Sequence, residues 1–365
     1  QMRISKTELQ LISSTNLTFN AESASIHVYD IIYNDTLNVI DRVTFNAYHN
    51  LVFAGPTVFK SMRGVANKLN ISADITVQES HLVLEATEYI VDSGIVVTSL
   101  APTRNIYVEP TSGSSGSLRS DTPVTWVSAG DVTFEVPMHV RGAGGVVFTA
   151  DSDADGDGSV VLNRNANLTI EPSVPTLDIT CRDFEFDSHI NAPNTNFSIQ
   201  TSPYFNSSMS IGTQHVGLHL SNSEIHRMHT TRYIRWGSYH TTKYITLDGA
   251  VYNGDAFLLR ITSQHSILFT GTNSSVGTDI AMTAIHDIEL QSNLDVVGFV
   301  NVIADSDCVT DGFVTIGQHH HIQSSNNLIH IFAHDVFLHG YLWAGSNAIN
   351  FETCPGRSVQ FGGNT

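Results

Sequence analysis

The chain has 365 residues, 41% of them apolar and only 14% charged, a balance that excludes a disordered tail. No run of 18 apolar residues occurs, so no helical membrane span is expected. Seventeen basic against thirty-five acidic residues leave a formal charge of −18, which argues against nucleic acid and anionic membrane as partners and in favour of cations.

Thr, Val, Ile, Phe and Tyr are plentiful, while the residues that fill helices are thin, so an all-β chain is expected. The chain opens at Gln1 without Met or a leader, which reads as a mature or excised segment. Residues 2–12, MRISKTELQLI, align with 218–228, LHLSNSEIHRM, and this pairs Ser5 with Ser221 and Glu8 with Glu224. The same offset sets Leu51-Val52-Phe53-Ala54-Gly55 on Ile267-Leu268-Phe269-Thr270-Gly271. Further along, Ala150-Asp151-Ser152-Asp153 matches Ala304-Asp305-Ser306-Asp307 at a smaller offset. Then Asp183–Phe186 falls on Asp335–Leu338, and Ser208–Gly212 on Ser358–Gly362.

The matches keep their order. Residues 1–216 and 217–365 therefore read as two copies of one unit, the first with about sixty extra residues inserted at about 88–148. The Gly/Ser/Pro-rich stretch from Pro110 to Pro123 inside that insert reads as a protruding loop.

A shorter beat runs within each copy. ITLDG (245–249), ILFTG (267–271) and IELQS (288–292) begin 22 and 21 residues apart, and VTIGQ (314), VFLHG (336) and VQFGG (359) repeat the spacing. Each run alternates apolar and polar residues, the signature of a strand with one buried face, and turn-tolerant Gly, Asn, Asp and Ser lie between. A rung of about 22 residues without a helix cannot bury its apolar face alone, whereas stacked rungs share one core. The expected fold is an all-β, right-handed parallel β-helix, and a chain of β-sandwiches is the alternative. The sequence also starts and stops in phase with the repeat, so further rungs or a second copy are expected partners.

The strand-turn beat, the LSNSEI phrase at 220–225, the TADSDADGDG run at 149–158 and GRSVQFGG at 356–363 carry a resemblance. Together they resemble the repeats of filamentous-haemagglutinin-type secreted proteins and related giant surface proteins. That resemblance implies a right-handed parallel β-helix, secreted or at a cell surface, serving as a filament, a stalk or an adhesin.

Candidate sites are few. Asp151, Asp153, Asp155 and Asp157 alternate before Gly158 like the start of a calcium loop, because oxygens so spaced can converge on one hard cation. Leu162 stands where such a loop ends on a bidentate Glu, and the plainer reading is a solvated turn. N-x-S/T sequons fall at Asn16, Asn34, Asn70, Asn167, Asn196, Asn206 and Asn273, acceptors for glycans if the source glycosylates. His319-His320-His321 offers imidazoles without an identifiable third ligand, and Tyr233, Trp236, Tyr244 and Trp343 are candidate stacking surfaces for sugars.

Cys181, Cys308 and Cys354 are too few for a disulfide scaffold; at least one is left free or paired between chains. A polysaccharide lyase or hydrolase on this scaffold would need carboxylates converging beside Lys or Arg, and basic residues here are scarce and scattered. The expected function is non-enzymatic: a structural segment of an extracellular fibre, with an adhesin or glycan-binding module as the alternative.

Overall fold

The computed structural model describes residues 3–102, 104–121, 124–203, 207–309 and 311–355. The chain divides into two compact units, 1–195 and 196–365. Both are built from parallel ladders with almost no helix, and successive rungs lie about 22 residues apart.

In the first unit three long strands, Val39–Phe53, Met62–Ile71 and Leu82–Val91, pair side by side, with Phe53 opposite Ile71 and Ile71 opposite Val91. The sheet then forks. Ile106–Glu109 continues from the first half of Leu82–Val91, and Leu118–Ser120 continues from the second half. Both branches run on through later rungs, one by Val132–Phe134, Ser159–Leu162 and Asp183–Phe186, the other by Met138–Val140 and Leu168–Ile170. A second sheet climbs through Thr57–Phe59, Ile75–Val77, Ile95–Ser99, Val124–Ser128, Val146–Thr149 and Thr176–Cys181.

The fork corrects the reading of 88–148 as an inserted loop region. Among the described residues the stretch is laddered strands joined by short connections, of which 110–117 is one. Leu118 and Ser120 are buried and pair on both sides, with Tyr89–Val91 and with Met138–Val140. Two inward-facing residues bracketing outward Arg119 suffice for a strand once neighbours supply the backbone partners, so this stretch contributes to the rungs.

In the second unit the chain visits three sheets in turn. Ser266–Thr270, Ser274–Val276 and Asp279–Ala284 form one rung, and Ile288–Leu290, Leu294–Val296 and Val300–Ile303 form the next. Like residues stack along the core: Ile245, Ile267, Ile288 and Val314 in one column, Leu247, Phe269, Leu290 and Ile316 in another. All eight are 1% exposed or less. Full burial of such a side chain stabilises by about 1.5–3 kcal/mol, and each rung contributes several.

Two local devices recur between the units. The short helices Lys6–Gln10 and Asn222–Ile225 are each opened by a capping box. In each box the Ser hydroxyl accepts from the Glu N–H at 3.3 Å, and the Glu carboxylate accepts the Ser N–H at 2.8 Å. The pairs Ser5/Glu8 and Ser221/Glu224 are those aligned by the sequence repeat. The second device is the Asp turn described next.

Candidate functional site

Asp151 stands at the end of strand Val146–Thr149 with φ near 56°, in the left-handed region, and Ala154 follows at 58°. The turn is tied to the rungs on either side. The Ala150 N–H donates to Thr180 O at 2.9 Å and the Ser152 N–H to Ser128 O at 3.0 Å. A Cβ at Gly158 would collide with the Asp151 backbone nitrogen, so glycine is required by close approach.

Inside this turn the carboxylates of Asp151, Asp153 and Asp155 converge, with one oxygen from each within 4.8 Å of the others. Asp151 is fully buried, while Asp153 and Asp155 are exposed. Asp151 Oδ1 also accepts the Gly156 N–H at 3.0 Å. Asp157 is not part of the convergence: it is exposed, and its N–H donates to Asp155 Oδ1 at 2.9 Å. Three hard oxygen donors, one of them anchored in the core, suit a Ca²⁺ ion that completes its shell with water.

The second unit repeats the turn without the trio. Asp305 is again fully buried with φ near 58°, and Ala304 N–H donates to Phe332 O at 2.9 Å. Gly312 meets the Asp305 nitrogen as Gly158 meets that of Asp151. Cys308 occupies the left-handed slot of Ala154 at φ near 54° and is bonded to Cys354. The Cys354 sulfur lies 3.3 Å from Asp305 Oδ2. Where one copy gathers carboxylates, the other carries a disulfide. No spacing in the sequence signals this pairing, because Cys354 comes from a later rung. Cys181 is the free cysteine; it is fully buried, and burial pushes its thiol pKa up, away from reactivity.

The sequons differ in access. Asn16, Asn34, Asn167 and Asn273 are exposed. Asn70 and Asn196 lie within strands with buried Oδ1 atoms, and Asn206 lies outside the described residues. His319 and His320 sit in a turn and only His321 enters the strand, where its Nε2 meets Asp295 Oδ1 at 2.9 Å.

The four aromatics also separate. Trp236 is 1% exposed, in edge contact with Tyr252, which removes it as a sugar platform. Tyr233 is covered by the Arg260 guanidinium, 4.7 Å from its ring centre. Tyr244 is exposed but tilts against His265. Trp343 is 63% exposed and faces outward.

Sequence reasoning missed a groove of about 120 Å³ in the second unit, beside the outward row Ser275, Asp295 and Gln323. Part of the signal was present: Ser274–Val276, Leu294–Val296 and His321–Ser324 each carry a polar residue, Ser275, Asp295 and Gln323, next to an apolar one. The face became visible only once the register was known.

A parallel β-solenoid repeat protein is the class that this fold and these turns define. No protein-family model, curated protein or solved structure matches the chain. Among the described residues, no helix is long and apolar enough to cross a membrane.

Proposed function

We propose that this chain is a structural segment of an extracellular fibre or surface filament, continued end to end by further rungs or by another copy. One observation carries the reading. In the last described rung the strands Asp335–Leu338, Tyr341–Trp343 and Ile349–Glu352 pair on one side only among the described residues. Leu338, which continues the column of Leu247, Phe269, Leu290 and Ile316, is 47% exposed there. An apolar column and three strand edges with no further partner among the described residues suit the addition of another rung.

The disulfide supports an oxidising, extracytoplasmic setting, and the four exposed sequons suit a secreted solenoid. The resemblance to filamentous-haemagglutinin-type repeats points the same way. Calcium at Asp151, Asp153 and Asp155 would clamp one turn of the first unit. Sedimentation and negative-stain imaging of the purified chain test the proposal. Threads of uniform width that lengthen with concentration are expected, and a discrete short rod at every concentration overturns it.

A second reading, an adhesive surface on the second unit, is favoured by the outward-facing Trp343 beside the polar groove.

A further inference from the structure

From the groove in the second unit we infer a binding site for a neutral oligosaccharide; the inference rests on the adhesive reading and is independent of filament formation.

The site is assembled by register. Ser275, Asp295, Gln323 and Trp343 occupy the same outward position on four successive strands, each paired with the next. Parallel strands lie about 4.8 Å apart, close to the length of one pyranose ring, so the row presents one side chain per sugar residue. Asn253 and Ser325 line the same groove from the neighbouring turns.

The chemistry of the row is that of polyol recognition. Among the described residues, the side chains of Asn253, Ser275, Gln323 and Ser325 form no hydrogen bond to the protein, which leaves amide and hydroxyl groups for sugar hydroxyls. Asp295 is held in place by His321, whose Nε2 lies 2.9 Å from Oδ1, and its carboxylate accepts from hydroxyl donors. At the end of the row Trp343 offers an indole face, the usual partner for the apolar C–H face of a pyranose. A carboxylate at the centre of the groove, on a chain of −18, disfavours uronates and sulfated sugars and selects a neutral chain. Trp343 points outward, so a further rung stacked on the last one would leave it accessible.

Calorimetry and tryptophan emission test the site with the whole chain and four hexasaccharides: β-1,4-glucose, β-1,4-N-acetylglucosamine, α-mannose and oligogalacturonate. Trp126 and Trp236 are both 1% exposed, so an emission change on binding reports Trp343. Saturable binding of at least one neutral probe is expected, with a blue shift and little or no binding of oligogalacturonate. Trp343→Ala should weaken binding about tenfold or more and Gln323→Ala by a smaller factor. Tyr244→Ala, on another sheet, should leave it unchanged, and circular dichroism melts confirm that each variant folds. No binding of any neutral probe at millimolar concentration, equal binding of oligogalacturonate, or full affinity in both Trp343→Ala and Gln323→Ala overturns the inference. A chain that stays monomeric yet binds through Trp343 loses the filament and keeps the site; threads without binding give the converse.

Discussion

His81 shows how one residue can make a rung sensitive to pH. Its Nδ1 accepts the Asn105 N–H at 3.0 Å, and Arg104 Nη1 lies 3.4 Å from Nε2. Burial, and then the Arg104 charge, hold its pKa below the ordinary value of 6.5. The unfolded chain thus takes up a proton that the folded chain resists. The stability tied to neutral His81 is fully present above about pH 6.5 and is lost as pH falls from there through the lowered folded pKa. His81→Asn keeps an acceptor and removes the titration, so its melting temperature should drop less between pH 8 and pH 5 than that of the parent chain. A steeper drop would contradict the assignment.

Asp153 makes a second test at the same scale. If Ca²⁺ holds the trio, a hundredfold excess over Kd adds about 2.7 kcal/mol, and melts with calcium and with chelator should separate by a few degrees. Asp153→Asn should narrow that gap, and coincident curves for the parent chain would leave the turn a solvated one.

At the scale of elements, the same turn and the same capped helix serve both units. Ser221→Ala removes an acceptor for the Glu224 N–H and should cost about 1 kcal/mol, read as faster amide exchange over Asn222–Ile225. Ser5→Ala, with the same bond lengths in its capping box, should accelerate exchange over Lys6–Gln10 in the same way. The disulfide has the larger effect. Cys308 and Cys354 close a loop with a sequence separation of 46, and replacing both with Ala should cost about 2–4 kcal/mol. The loss should appear first in Ile329–Phe332 and Ile349–Glu352, the paired strands nearest Cys354 in the chain, while exchange in the first unit stays unchanged. Uniform loosening of both units would argue against a local clamp.

For the whole molecule, the −18 charge sets how copies of the chain meet. Separate copies should repel at neutral pH and low salt, and screening shortens that repulsion to about 10 Å at 0.1 M. The chain carries 18 histidines, and imidazole is the side chain whose ordinary charge change falls between pH 8 and 5, so acidification offsets part of the acidic excess. Light scattering should therefore rise when salt is added at pH 7.5, and rise at lower salt when the pH is 5.5. Scattering that is independent of both would remove charge as the control on lateral association.

Much of the solenoid was legible in the residues themselves. Alternation in ITLDG, ILFTG and IELQS specifies which face of each strand is buried, because side chains on a strand point to opposite sides by turns. The Ser/Glu pairs at 5/8 and 221/224 were legible only as repeat matches, and the short capped helices that they open were not expected, although a capping box is local chemistry. Asp151 was visible as a donor, but its burial was not, since that depends on the neighbouring rungs at Ser128 and Thr180. The strand at Leu118–Ser120 was hidden because three residues carry too little pattern, and only paired neighbours on both sides make them a strand. The register decided the rest. It moved Trp236 inward, left Trp343 outward, and lined up Ser275, Asp295 and Gln323 from rungs 20 and 28 residues apart. Local alternation is set by covalent geometry and survives in any fold, whereas which distant residues share a face depends on the length of every turn between them.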